Sequence, residues 1–340
     1  MDLISLIVSD GRIKPIGAAA VNPTYFKKPL EKSCMPSHIN NCQKEALSMR
    51  ILVIGGNGHY AGLITDHLAK KHEITIFDLH QRARDFSCDQ IVGDILQLDQ
   101  IDRAMAGIDA IVTFFVGDAA LSTMGMVNVM TAAEQHGVEH VVYTSSGGMP
   151  FPIDTFALDD SLFPMDGFSE EFWRDYFPIT EEAGMFPGQE TSGYFLHKWL
   201  CEQIGKRFVD RGKVTFTAIR PGLLMHDDMT NRPGGETTRN HEPFFMLMTG
   251  QVRMCDAARM YDLALTRPPA GFAAYHCSND TLYNNLSVEK ARLQLGYACM
   301  DQKPYMDFYA GMDWKGAFDT LVDRGFSADL LQGTYGFRDC

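Results

Sequence analysis

Basic residues are in short supply: 30 Lys and Arg stand against 43 Asp and Glu, a formal charge of −13. A surface of that sign repels phosphate backbones and anionic headgroups, which excludes a general nucleic-acid or membrane-surface binder. No apolar run approaches the roughly 18 residues that a membrane-spanning helix needs. Eight cysteines occur, at 34, 42, 88, 201, 255, 277, 299 and 340, without one Cys-x-x-Cys pair. In a chain of this length they read as reduced, mostly buried thiols of a cytoplasmic protein. His-Glu-x-x-His is missing, and His226-Asp227-Asp228 reads as a solvated loop rather than a metal site. Internal repeats and low-complexity tracts are absent.

Residues 1–48 lack sustained periodicity and carry Pro15, Pro23, Pro29 and Pro36. They are expected to form a poorly ordered extension. They have neither the apolar core of a secretory signal nor the Arg-rich, acid-poor character of a transit peptide.

From Met49 the pattern changes. Strand signals near 50–54, 73–77, 90–92, 109–115 and 139–144 alternate with helical ones. Such alternation predicts an α/β fold: a doubly wound parallel Rossmann sheet with right-handed crossovers. A helix near 192–210, a strand at 214–219, a helix at 256–267 and a strand at 272–276 extend it. Gln251 to Asp256 reads as a strand. Ser287 to Leu295 reads as a helix with Ser287 as N-cap and Gly296 as its stop. The expected division is an NAD-binding domain over 49–220, joined by elements from about 251–280, and a smaller substrate lobe from 221–250 and 281–340.

Two local patterns carry chemistry. The first is Ile51-Leu52-Val53-Ile54-Gly55-Gly56-Asn57-Gly58-His59-Tyr60-Ala61-Gly62. An apolar strand enters a glycine-rich turn and then a helix. Gly55 and Gly58 let the backbone approach a diphosphate at the helix N-terminus, and Ala61 allows close helix–strand packing. The next strand ends in Asp78, about 20 residues on, where a carboxylate binds the ribose hydroxyls of NAD and repels the 2′-phosphate of NADP. The second is Tyr194 and Lys198, four apart and so on one helix face. A phenol beside an ammonium loses its proton more readily than the usual ~10 allows.

Together these patterns resemble the short-chain dehydrogenase/reductase superfamily in its extended, epimerase/dehydratase-like branch, from about Arg50 to about Pro304. Val92-Gly93-Asp94-Ile95, Gly125 to Ala133, Val141 to Ser146 and Ile219-Arg220-Pro221-Gly222 resemble further family segments in the family's order. The resemblance implies Ser146, Tyr194 and Lys198 as the catalytic set, with Ser145 the lesser choice for the serine. It implies NAD as cofactor, held by Gly55, Gly58, His59, Tyr60, Asp78, Asp94, Ile95, Lys198 and Pro221. Tyr194 would be the general acid/base, and the nicotinamide would carry the hydride. Glu202, one turn beyond Lys198, reads as a salt-bridge partner.

Departures from the branch narrow the reaction. Gly147-Gly148 follow Ser146 where dehydratases carry Asp-Glu, which disfavours sugar dehydration. Met149-Pro150-Phe151 replaces the Val-Tyr-Gly stretch of sugar-nucleotide epimerases, and Met225-His226 the Tyr-Gly after Arg-Pro. Thr249 falls where an Arg for a nucleotide diphosphate is expected, leaving Arg253 as a substitute. The long aromatic stretch between Ser146 and Tyr194, with Phe172 and Trp173, reads as a lid or a packing module in equal measure. Trp173 and Gly193-Tyr194-Phe195 resemble plant-type carbonyl reductases, and Asn279 to Tyr297 resembles uronate dehydrogenases.

The reading expected is an NAD-dependent oxidoreductase of a hydroxyl or carbonyl on a sugar, sugar acid or similar small substrate, acting as a homodimer without nucleic-acid or membrane partners. NAD-dependent epimerisation of a nucleotide sugar is the alternative. A non-catalytic dinucleotide-binding redox sensor or assembly subunit is the alternative of another class.

Overall fold

A computed structural model describes residues 48–84, 87–150, 178–185, 193–230, 250–281, 284, 286–313, 315, 316, 319 and 322. The chain alternates strand and helix from its first described element. In order these are β1 (Arg50–Ile54), α1 (His59–Leu68), β2 (Glu73–Asp78), β3 (Asp89–Val92), α2 (Leu98–Ala104), β4 (Ala110–Thr113), α3 (Ala119–His136) and β5 (His140–Thr144). Then come α4 (Gly193–Val209), β6 (Thr215–Pro221), β7 (Leu223–Met225), β8 (Gln251–Arg253), α5 (Met254–Thr266), β9 (Phe272–Cys277), α6 (Glu289–Leu295) and α7 (Lys303–Ala310).

Seven strands form one parallel sheet in the order β3-β2-β1-β4-β5-β6-β9. This is the doubly wound Rossmann fold that the alternation predicts. Side-chain alternation along β1 divides the core. Ile51 and Val53 pack on one face with Ile64 and Leu68 of α1 and Tyr261 and Ala264 of α5. Leu52 and Ile54 pack on the other with Ile101 of α2, Met126 and Val129 of α3 and Cys201 of α4. Each such aliphatic side chain is fully buried, contributing roughly 1.5–3 kcal/mol. Chain order reverses between β1 and β4, whose carboxyl ends therefore open a crevice in which ligands of such sheets bind.

Two boundaries differ from the sequence expectation. The strand expected over Gln251–Asp256 stops at Arg253, because Asp227 Oδ1 accepts the Cys255 N–H and starts α5 there. Ser287 is not the N-cap of α6. Val288 holds that position without a side-chain cap, and Ser287 Oγ accepts only a 3.4 Å contact from Glu289 N. Gly296 does stop the helix, in the left-handed region at φ 70°.

β7 and β8 form a separate two-stranded sheet. Met225 and Met229 pack there with Tyr305 and Tyr309 of α7. Residues 1–47 and 231–249 lie outside the described residues, as does most of the aromatic stretch with Phe172 and Trp173. Its described part, 178–185, is built into the sheet edge: Ile179 bridges Leu286, and Glu181 Oε1 accepts the His276 N–H at 2.8 Å. The described cysteines 88, 201, 255, 277 and 299 are unpaired thiols. No helix among the described residues is long and apolar enough to cross a membrane.

Candidate active site

The glycine-rich turn occupies the crevice. Gly55 has φ 77°, and a Cβ there would sit 3.1 Å from Phe115 N, so a side chain is refused on both counts. Gly58 is extended and caps α1 without a side-chain hydrogen bond, and no acidic residue lies in the first turn. The positive end of the α1 dipole therefore faces the turn with no side-chain cap and no carboxylate in its first turn, an arrangement that suits an anion. Asp78, at the end of β2, accepts the Asn57 N–H through Oδ2 at 2.9 Å, which ties its carboxylate to the turn. These features fit the diphosphate and adenosine ribose of a dinucleotide.

The two arginines beyond Asp78 are engaged. Arg84 is turned inward: its guanidinium donates to Gly56 O, to Asn57 Oδ1 at 3.0 Å and to Asp66 Oδ1 at 2.9 Å. Arg82 leans over the turn and donates to Asn57 O at 3.2 Å. Asp94 follows β3, where its Oδ1 accepts the Leu96 N–H at 2.9 Å. Ile95 is buried, its carbonyl accepting from Asn128 Nδ2 at 2.8 Å. Pro221 ends β6, and its carbonyl accepts the Gly147 N–H at 2.7 Å, which holds the β5 end against β6.

The second cluster gathers where β5 meets α4. Tyr194 lies in the first turn of α4 and brings its phenol close to the Ser146 side chain just beyond β5. Ser146 Oγ also accepts the Gly148 N–H at 3.2 Å. Lys198, one turn along and 3% exposed, donates to Thr144 O at 2.6 Å. Its Nζ stands 5.1 Å from the Tyr143 ring centre and 5.7 Å from that of Tyr194. The two candidate serines separate cleanly. Ser145 Oγ donates to Glu202 Oε1 at 2.5 Å, which leaves Ser146 as the serine facing Tyr194. Glu202 is fully buried and receives Arg220 in a fork, Nε at 2.9 Å and Nη2 at 2.8 Å. It is the salt-bridge partner that its position suggests.

One expectation is corrected. Proximity of Lys198 does not lower the Tyr194 pKa. Burial raises it above 10, with the Ser146 hydroxyl opposing. The ammonium faces Thr144 O instead, and burial pulls it down to about 8 while Cys201 and Glu202 raise it. The sequence did not signal a place for His226 at the glycine turn. His226, in the loop after β7, brings Nε2 to 3.1 Å from Nε2 of His59, and the Tyr60 ring lies 5.9 Å from its ring. No spacing rule signals a contact between residues so far apart in the chain. His226, Asp227 and Asp228 do not converge: Asp227 caps α5 and Asp228 Oδ1 accepts from Thr230 N and Oγ1. The described residues contain no cluster fit to hold a metal. Arg253 is occupied at α7, where its N–H donates to Tyr305 OH and its guanidinium lies 5.9 Å from that ring. Thr249 is outside the described residues.

This sheet, turn and crevice define a dinucleotide-binding Rossmann protein. Residues 55–171 match the NAD(P)H-binding family model, so the chain carries an NAD(P)H-binding domain. A curated relative, a 3-beta-hydroxysteroid dehydrogenase of Mycolicibacterium neoaurum, is 30% identical over 34% of this chain. The match spans only 37% of that relative's length. Among solved structures, uronate dehydrogenase from Agrobacterium tumefaciens aligns with a TM-score of 0.57 at 15% identity, over 83% of this chain and 91% of that one. The Bordetella bronchiseptica enzyme WbmG in complex with NAD and UDP aligns at 0.52 and 15% identity, over 79% of this chain and 96% of that one. The likeness to these structures is one of fold: a parallel Rossmann sheet with flanking helices.

Proposed function

We propose that the chain is an NAD-dependent oxidoreductase of the extended short-chain type, acting on a hydroxyl or carbonyl of a sugar, sugar acid or similar small substrate. The observation that carries this is the convergence of Tyr194 and Ser146, with Lys198 buried one turn away. A purely dinucleotide-binding sensor has no use for a phenol and a hydroxyl converging beside a buried ammonium. Ser146 holds the substrate oxygen. Tyr194 transfers the proton at that oxygen. Because burial favours the neutral phenol, Tyr194 is poised as the acid for carbonyl reduction, and oxidation gains as pH rises. Lys198 orients the Thr144 carbonyl end of β5 and supplies positive charge for the nicotinamide ribose. NAD, when bound, supplies the hydride acceptor.

NAD is favoured over NADP because a 2′-phosphate at Asp78 meets a fixed carboxylate, while Arg84 is spent on Gly56, Asn57 and Asp66. The cofactor set is Gly55, Gly58, His59, Tyr60, Asp78, Asp94, Ile95, Lys198 and Pro221. Residues 221–250 and 281–340 contribute the substrate side.

The test is NADH formation from NAD with a panel of uronic acids, polyols and 3β-hydroxysteroids. Tyr194→Phe is expected to lower kcat by about 10²–10⁴, with NAD affinity kept. Near-normal turnover in that variant rules the mechanism out. Interconversion of epimers without net NADH identifies an epimerase instead, and neither outcome identifies a sensor.

A further inference from the structure

The loop after β7 is built to hold one imidazole in place. Its backbone closes on itself, His226 N donating to Thr230 O at 2.6 Å and Met229 N to His226 O at 2.9 Å. Met229 adopts φ 66°, a left-handed conformation that a methionine takes only under constraint. It is kept there by burial against Met225, Tyr305 and Tyr309. Asp227 fastens the same loop to the first turn of α5. What this construction presents is His226, whose Nε2 meets Nε2 of His59 at 3.1 Å. His59 is the first residue of α1, directly after the glycine turn.

Two Nε2 atoms at that distance need one proton between them, so one ring donates and the other accepts. A doubly charged pair is excluded by the contact itself. We propose that His59 and His226 form a proton-linked clasp over the dinucleotide diphosphate: cofactor binding draws a proton from solvent onto the pair, and His226 thereby ties the β7 loop to the cofactor. The proposal rests on the reading of the turn as an NAD site and adds His226 to it as a positioning residue.

The charges around the pair set the direction. Tyr60 from α1, Arg82 from the β2–β3 connection and Asp228 from the loop itself lie close enough to act on it, while the Asp227 carboxylate is turned to the Cys255 N–H. Burial first, then His226 and Arg82, hold His59 below its ordinary 6.5, so near neutral pH its imidazole is uncharged. A diphosphate at the uncapped N-terminus of α1 reverses this balance, since an adjacent anion favours imidazolium. His59 then takes up a proton and donates through Nε2 to the His226 ring. By linkage the affinity for the cofactor strengthens as pH falls through the window between the free and bound values of His59, and flattens above it.

Calorimetric titration with NAD in two buffers of different ionisation enthalpy reads the proton directly. At about pH 6 a net uptake approaching one proton is expected, falling toward none at about pH 8. ADP-ribose, which carries the diphosphate without the nicotinamide, should reproduce it. His226→Asn and His59→Asn should each lose the uptake, and His226→Asn should also flatten the pH dependence of the dissociation constant, about tenfold per pH unit at its steepest in the wild type. Binding of NAD without proton uptake, or uptake unchanged in both variants, overturns the clasp and leaves the cofactor assignment standing. Failure of NAD and ADP-ribose to bind at any pH overturns both.

Discussion

Replacing Lys198 with methionine should make the protein more stable while ending its turnover. Lys198 is 3% exposed and donates a hydrogen bond to Thr144 O at 2.6 Å. Burial lowers its pKa from 10.5 to about 8, despite the opposing pull of Cys201 and Glu202. That drop corresponds to about 3 kcal/mol of unfavourable folding free energy at neutral pH. Methionine fills a similar channel without charge, and forfeits the Thr144 bond at a cost of about 1 kcal/mol. The expected net is a gain of roughly 1–2 kcal/mol at about pH 7, the difference of those two effects. The pH dependence is the sharper signature. Between about 8 and 10.5 the unfolded wild type binds more protons at this lysine than the folded one, so wild-type stability rises through that window. The advantage of the methionine variant must shrink across the same window and vanish above it. Urea unfolding of both proteins at about pH 7 and about pH 10 measures it. A variant less stable than wild type by more than about 1 kcal/mol at neutral pH, or an advantage independent of pH, refutes the reasoning.

The remaining expectations follow from the same geometry. Glu202→Gln leaves Arg220 buried without its counter-charge and sets an amide N–H₂ against its guanidinium; a loss of about 3–5 kcal/mol is expected, read from denaturant midpoints, and a loss below about 1 kcal/mol would mean the pair is solvated. Asp78→Asn removes the fixed charge but keeps an acceptor for Asn57 N, so NADP affinity should rise by an order of magnitude or more while NAD affinity falls only slightly; unchanged cofactor preference by binding titration would show that Asp78 does not face the ribose. A chain beginning at Met49 should fold and bind NAD normally, since every site residue lies beyond it, and a collapsed thermal transition in that protein would place residues 1–48 in the core.

What was legible in the sequence was local. The glycine turn, Asp78 at the end of β2 and Tyr194 with Lys198 on one helix face are short-range patterns whose geometry the backbone period enforces. The same logic gave seven parallel strands, because a run such as Ile51 to Ile54 buries both faces. The failures have equally specific causes. Ser287 looked like a cap, yet the turn begins one residue later at Val288, a shift that single-residue propensity does not resolve. The strand after Gly250 was drawn too long, since the cap that ends it comes from Asp227 in a distant loop. The phenol was expected to feel its lysine neighbour. Spacing on a helix face fixes the separation of two side chains but not where an ammonium points, and a backbone carbonyl at the end of β5 claims this one. His226 is the extreme case. Its meeting with His59 depends on β7, on the tight loop at Met229 and on the register that sets β7 beside β8. The chemistry-bearing residues of one element can therefore be read from their spacing, whereas contacts between elements, which decide protonation and clasping, become visible only once the fold has brought them together.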